Sequence, residues 1–364
     1  MGRFGRFAPI ACVLLLAAVY LGWVFFRNGA DPLAFVQLGT RFQTGDSAGT
    51  EGYDGQFYYY IAVDPDPQRT APRLDVPAYR YQRLLYPLLA RALAFGRPEA
   101  IPWTLLAINI AALAGLTFLA GEQIAQRGGS RWAAVAVGLW PGILASVRCD
   151  LAEPLALFLV LLALWIAGPA LERRTTAAAL LLALAILAKD TVAPFLAGWI
   201  AWLAYRRNYS KAAAMLLAAV PYGVLQLWLW AVFGTPGVFA EGSGLMFFQW
   251  LPFGGFLTMA RISLLAFAVY FIVYLPGVIL PVVYGTAAAL ADILRRAVRP
   301  EGLLLLAHAL IIAFAPFDIL REPLGMLRLA SGLVLCMWLY AAVKKNARWN
   351  TYGWIGMVYL LFLR

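Results

Sequence analysis

Eleven apolar runs follow one another along the chain, at roughly 8–26, 102–121, 132–147, 155–171, 175–189, 193–205, 212–232, 263–291, 302–317, 331–343 and 349–363. A backbone that meets lipid this often must satisfy its own N–H and C=O groups, and runs of this length do so as helices. The turns Gln126–Arg131, Glu172–Arg174, Arg206–Lys211, Arg295–Arg299 and Lys344–Arg348 each carry two or more basic residues and recur at every second turn. That alternation threads the chain eleven times, N-terminus inside and C-terminus outside. Several runs have only 13–17 residues, short of the roughly 20 that cross a bilayer untilted. Their ends must extend into flanking segments, or the helices sit deep in the bundle. The expectation is an all-α polytopic membrane protein, a single transmembrane domain over 1–364. It has a large extracytoplasmic first loop at 27–101 containing amphipathic helices, and a second loop at 233–261.

Composition agrees. Hydrophobic residues make up 63% of the chain and charged residues 13%, about half the charge of a soluble domain. The net charge of +11 invites a nucleic-acid reading, but its distribution excludes one. Fifteen of the 29 basic residues and four of the 18 acidic ones fall on the inner side of this topology, which therefore holds the whole excess. The other side is neutral, so the charge marks orientation rather than a polyanion site.

Residues 8–26 follow Arg3 and Arg6 and resemble a signal peptide, but Phe25-Phe26-Arg27 offers no small-residue cleavage site, so this is an uncleaved first span. In the first loop, Arg80, Arg83, Pro87 and Arg91 share one helical stripe opposite Leu85, Leu89 and Ala92, the pattern of a helix lying along the membrane surface. Pro87 should begin or kink it. The second loop is rich in glycine and aromatics, with Phe247-Phe248-Gln249-Trp250, and is expected to re-enter the interface. Cys12, Cys149 and Cys336 lack any disulfide or metal spacing and are packing residues; His308, on an apolar span, is a packed neutral histidine. No cofactor or metal is indicated.

One polar stretch stands apart. Between Tyr53 and Tyr86, four Asp, four Arg and seven Tyr crowd into 34 residues. A linker would favour Gly, Ser and Pro without aromatics; this mixture suits a sugar and a phosphate. Tyr53, Asp54, Gln56, Tyr58, Arg73, Asp75, Arg80 and Arg83 are its candidate ligand-facing residues. Further helix ends on the same side carry Arg148, Asp150, Glu153, Lys189, Asp190, Arg321, Glu322 and Arg328, whereas the middles of the spans are nearly free of charge. Charges kept beside a membrane mark function, and these converge on one rim. An ion-coupled transporter would instead place charges or broken helices near the midplane. Arg80, Arg83, Arg321 and Arg328 form the expected phosphate cradle, with Arg148 and Lys189 next in line.

Each group has a structural alternative. Asp54 is placed to N-cap a helix starting at Gly55, Asp150 and Glu153 have near capping-box spacing, and Asp190 precedes Pro194 as a cap does. Arg321 and Arg328, seven apart on one helical face, could snorkel to headgroups. Tyr58–Tyr60 could form an aromatic belt.

The order of one span, a large outer loop with a key Asp and amphipathic helices, then many spans, resembles the GT-C superfamily of integral-membrane glycosyltransferases. Gly52-Tyr53-Asp54-Gly55-Gln56-Phe57-Tyr58-Tyr59, with Asp64-Pro65 and the Asp75–Arg83 segment, looks most like a bacterial polytopic family implicated in cell-surface glycopolymer formation. The likeness is local over about 40 residues and architectural elsewhere. It implies an inverting transfer from a polyprenyl-phosphate-linked sugar to a glycan or lipid acceptor, with Asp54 as general base, at the outer face of the bacterial inner membrane. Asp54 stands alone and well into the loop, whereas many such enzymes have adjacent acids soon after the first span. The C-terminal soluble domain of larger members has no counterpart here. The chemistry fits this reading: an outward-facing transferase needs a lipid-carried donor, guanidinium groups bind its leaving phosphate bidentately, and a base takes the acceptor proton. A flippase or transporter for lipid-linked glycans, or a non-catalytic scaffold in polysaccharide export, are the competing readings.

Overall fold

The structure, a computed structural model, describes residues 3–240 and 249–345. The chain is all-helical, 77% helix, with no strand among the described residues. Four helices are long and apolar enough to cross a membrane: Ala8–Arg27, Pro98–Gln126, Tyr209–Phe233 and Leu264–Leu294. Pro323–Leu329 and Ser331–Lys344, bent by 43° to one another, count as a fifth if taken as one span. Glu153–Ala167, Thr175–Ala188 and Pro300–Ala313 are shorter apolar helices. The expected span at 349–363 lies outside the described residues.

Burial explains the short runs. Glu153–Ala167 is packed between Ile101–Gln126 and Thr175–Ala188, and Pro300–Ala313 among Ala193–Tyr205, Leu280–Leu294 and Ser331–Lys344. Helices enclosed by protein on most sides need not reach across a lipid layer. The long Tyr209–Phe233 helix is the opposite case: Val220, Val224, Leu227 and Trp230 are all exposed along it. Its apolar surface is what lipid would cover.

Two runs differ from expectation, both through proline. The run at 132–147 is not one helix but Ala133–Gly138 and Pro141–Arg148. Trp140 is held at φ −56°, ψ 129°, the extended torsions a following proline favours. Within the 264–294 helix, Leu275–Ile279 widens to a π turn at Pro276, whose missing N–H disrupts the α ladder.

The first loop is folded onto the bundle. Gly55–Val63 buries Phe57, Tyr58, Tyr60 and Ile61, and it packs on the Leu85–Leu93 helix. The expected surface helix is two, Pro77–Tyr81 and Leu85–Leu93, and its basic stripe faces protein rather than headgroups. Arg83 is buried, while Arg91 donates to the carbonyls of Ala62 and Val63 at 3.0 and 2.6 Å and closes the end of the Gly55–Val63 helix. The exposed face belongs to Leu88, Leu93 and Phe95. Of the second loop, Phe247 and Phe248 lie outside the described residues, and Gln249 N–H donates to Phe314 C=O at 3.1 Å.

All sixteen ion pairs among the described residues join groups assigned to the same face. His308 is buried edge-on against Phe195, its centroid 4.2 Å away, with Nδ1 2.9 Å from Leu304 C=O, as a packing histidine sits.

Candidate functional site

Two close backbone approaches bring the site together. A Cβ at Gly55 would lie 2.1 Å from Cys149 C=O, so only glycine lets the start of this helix, and Asp54 with it, seat against the 149–153 turn. A Cβ at Gly142 would lie 2.1 Å from Leu327 C=O. Trp140 Nε1–H donates to that same carbonyl at 2.7 Å, so the break at Trp140-Pro141 grips the backbone beside Arg328.

The side chains then form a chain of alternating charge: Asp75, Arg80, Asp54, Arg328, Glu153, Lys189. Arg80 donates to both Asp75 oxygens at 2.7 and 2.6 Å, and its Nη1 lies 3.0 Å from Asp54 Oδ1. Arg328 reaches Asp54 Oδ2 through Nη2 and Glu153 Oε1 through Nε, both at 3.0 Å. Its Nη1 donates to Tyr53 OH at 2.7 Å, and that hydroxyl donates to Glu322 Oε1 at 2.8 Å. Lys189 Nζ is 2.9 Å from Glu153 Oε1. Alongside, Arg83 pairs with Asp190 at 2.8 Å and donates to Tyr79 OH at 2.8 Å, its guanidinium 4.4 Å from the Tyr79 ring centre.

Three spaces meet here. A polar cavity of about 250 Å³ is lined by Asp54, Tyr79, Arg80, Arg83, Glu153, Lys189 and Arg328. An apolar groove of about 250 Å³ is walled by Pro194, Val238, Ile311, Ala315 and Pro316, and it shares Tyr79, Arg83, Thr191, Ile319 and Leu329 with the polar cavity. An outer polar cavity of about 280 Å³ is lined by Arg41, Phe42, Glu51, Tyr53 and Phe57. Asp54, Asp75, Arg80 and Glu322 form the wall it shares with the inner one.

Burial alone would raise the Asp54 carboxyl, but the Arg80 and Arg328 guanidiniums and Lys189 outweigh it and hold the group well below the usual carboxylate range. Lys189, just past the end of the Thr175–Ala188 helix, is lowered to about 8 by burial and by Arg83 beside it. Asp150 is the reverse case, its carboxyl pushed well above the usual range by burial, with neither oxygen in a hydrogen bond.

Of the residues expected at the site, Tyr53, Asp54, Asp75, Arg80, Arg83, Glu153, Lys189 and Arg328 converge on the cavities. None of the three carboxylates proposed as caps makes a side-chain cap bond: Asp54 before Gly55–Val63, Asp150 before Glu153–Ala167, or Asp190 before Ala193–Tyr205. Gln56 borders the outer cavity, but its amide is committed to Gly39 N–H and Glu51 C=O, bracing the loop. Tyr58 is buried edge-on against Tyr86, 5.3 Å between centres, so it is not part of a belt, and it lines neither of the two polar cavities. Arg73 is exposed, 5.7 Å from the Tyr60 ring centre, and lines none of the described cavities. Arg148 turns to Cys149 Sγ at 3.5 Å, and Asp150 is enclosed behind the site without a facing cation. Arg321 is 65% exposed and pairs with Asp318. It shares no helix face with Arg328, because Glu322 is extended before Pro323 and breaks the helix between them.

Tyr79 was missed, although four residues before Arg83 is the spacing at which a helix stacks an aromatic on a guanidinium. Glu322 was noticed only as a rim charge, and Asp190 only as a rim charge or a cap. Arg41, Phe42 and Glu51 carry no sequence signal, since their place depends on how the loop folds. No family model, curated protein or solved structure matches the chain, so the functional reading rests on its own residues.

Proposed function

We propose that this chain is an inverting glycosyltransferase of GT-C type that moves a sugar from a polyprenyl-phosphate donor to an extracytoplasmic glycan or lipid acceptor. The observation that carries it is the apolar groove running into a cavity faced by Arg80, Arg83, Lys189 and Arg328. A ligand that fits both has a hydrocarbon chain joined to an anionic head. The isoprenoid chain takes the groove between Ile311 and Ala315, and the phosphate sits among the cations. The sugar points toward Asp54, and the acceptor enters from the outer cavity. Asp54 takes the acceptor hydroxyl proton, the oxygen attacks the anomeric carbon, and the bond to the phosphate oxygen breaks with its electron pair leaving on polyprenyl phosphate. The cations stabilise that charge. In this reading the span count is eleven and the Asp54 end faces outward.

Asp54→Asn keeps the shape and removes the basic oxygen. A folded, membrane-inserted variant with turnover lowered at least ~100-fold is expected. Near-normal turnover would move the base to Glu153, since Asp150 is enclosed and lines none of the described cavities. A second reading, a transporter of lipid-linked glycans, is favoured by the broken pair Ala133–Gly138 and Pro141–Arg148 lying against the bent helix that carries Arg328. Transport that survives Asp54→Asn, with no glycosidic product from the native chain, would select it.

A further inference from the structure

We propose, resting on the transferase reading, that the donor phosphate displaces Asp54 from Arg80 and Arg328, so that the carboxylate becomes an effective base only once the donor is bound. Each cation facing the cavity already has a carboxylate partner: Arg80 with Asp54 and Asp75, Arg83 with Asp190, Lys189 with Glu153, and Arg328 with Asp54 and Glu153. An incoming phosphate must therefore compete with a carboxylate, and the four carboxylates differ in how firmly they are held.

Asp75 is also anchored by Val76 N–H at 2.7 Å. Asp190 holds an Arg83 that is 5% exposed and already fixed on Tyr79. Glu153 is 5% exposed and bridges Lys189 and Arg328. Of these four, Asp54 alone divides its two oxygens between two different guanidiniums, each at 3.0 Å, with no cap bond to its backbone neighbours. It is 27% exposed and stands in the wall of the outer cavity, which gives the freed carboxylate somewhere to turn. That space is also where an acceptor hydroxyl would arrive. A carboxylate that loses two guanidinium partners gains proton affinity, so donor binding would both deliver the electrophile and activate the base. Without donor, the site holds a weak base and does not activate water.

The test is calorimetric titration of the purified full chain in detergent with farnesyl phosphate, using farnesol as the uncharged control. Asp54→Asn, and Asp54→Ala as a second variant should the first misfold, remove the competitor. Farnesyl phosphate affinity should therefore rise about tenfold or more, the scale of one charge-assisted hydrogen bond. Arg80→Ala and Arg328→Ala should weaken it. Unchanged or weaker binding by both Asp54 variants overturns the displacement, because Asp54 would then be organising the guanidiniums rather than competing for them. Equal binding of farnesol and farnesyl phosphate by the native chain overturns it as well. Tighter binding with undiminished turnover would leave displacement standing while removing Asp54 as base, so the two ideas fail separately.

Discussion

The two ends of the bundle use the same kinds of charge for different ends. Opposite the Asp54 cavity, Arg127 pairs with Glu301 at 2.5 Å, both almost fully enclosed, and Glu122 binds Arg6 and Arg131 at 2.9 and 2.8 Å. Lys344 and Tyr340 share Asp292 at 2.5 and 2.9 Å. These are closed staples that tie helix ends far apart in sequence, and neither Arg127 nor Lys344 lines a described cavity. At the Asp54 end the charges are linked in one alternating chain that opens on about 250 Å³ of space. Pairing alone therefore does not mark a site. Pairing that borders a cavity large enough for a ligand does.

The sharpest way to break this contrast is to truncate one arginine at each end. Arg328→Ala leaves Asp54 and Glu153 each short of a cation and removes a phosphate contact, which should weaken donor binding by about 1.5–3 kcal/mol. Arg127→Ala should cost ~3–5 kcal/mol of stability by stranding Glu301, while the folded fraction binds donor normally. Equal loss of donor binding in both variants, measured per folded molecule, would erase the distinction.

A second expectation is pH-dependent and concerns Lys189. Its folded value of about 8 lies below the ordinary 10.5, so the unfolded chain binds more protons between those limits. The Lys189 contribution to stability should therefore rise with pH across that window, while donor affinity falls as the ammonium is lost. Thermal melts and farnesyl phosphate titrations at pH 7.5 and 9.5 check both signs. Parallel movement of the two would show that Lys189 does not face the phosphate. The smallest effect belongs to Arg321→Ala and Arg73→Ala. Both side chains are exposed and line none of the described cavities, so each should change donor affinity and stability by no more than about 0.5 kcal/mol.

Much of the site was legible because charge is scarce in this chain. Glu153, Lys189 and Arg328 stand at the ends of apolar helices, where each charge has to have a partner or a purpose, and Asp54 lies in the densest polar stretch. What stayed hidden is three-dimensional. Arg148 and Asp150 neighbour Glu153 in sequence, yet the backbone turn at Asp150, with φ 48°, sends Glu153 to the cavity and leaves the other two behind it. The basic stripe of Arg80, Arg83 and Arg91 reads equally well as facing headgroups or protein, because periodicity defines a face but not its neighbour. Likewise the run at 132–147 is apolar enough for a span, and only Pro141 hints at the break that positions Arg328.

The central claim is that the cation-lined cavity and the apolar groove together hold a prenyl phosphate. Cryo-electron microscopy of the full chain in nanodiscs with saturating farnesyl phosphate tests it most directly. The account predicts phosphate density within hydrogen-bond reach of Lys189 and of Arg80 or Arg328, with the hydrocarbon running between Ile311 and Ala315. A phosphate beside Arg127 and Lys344 at the other end, with the Asp54 cavity empty, would contradict it.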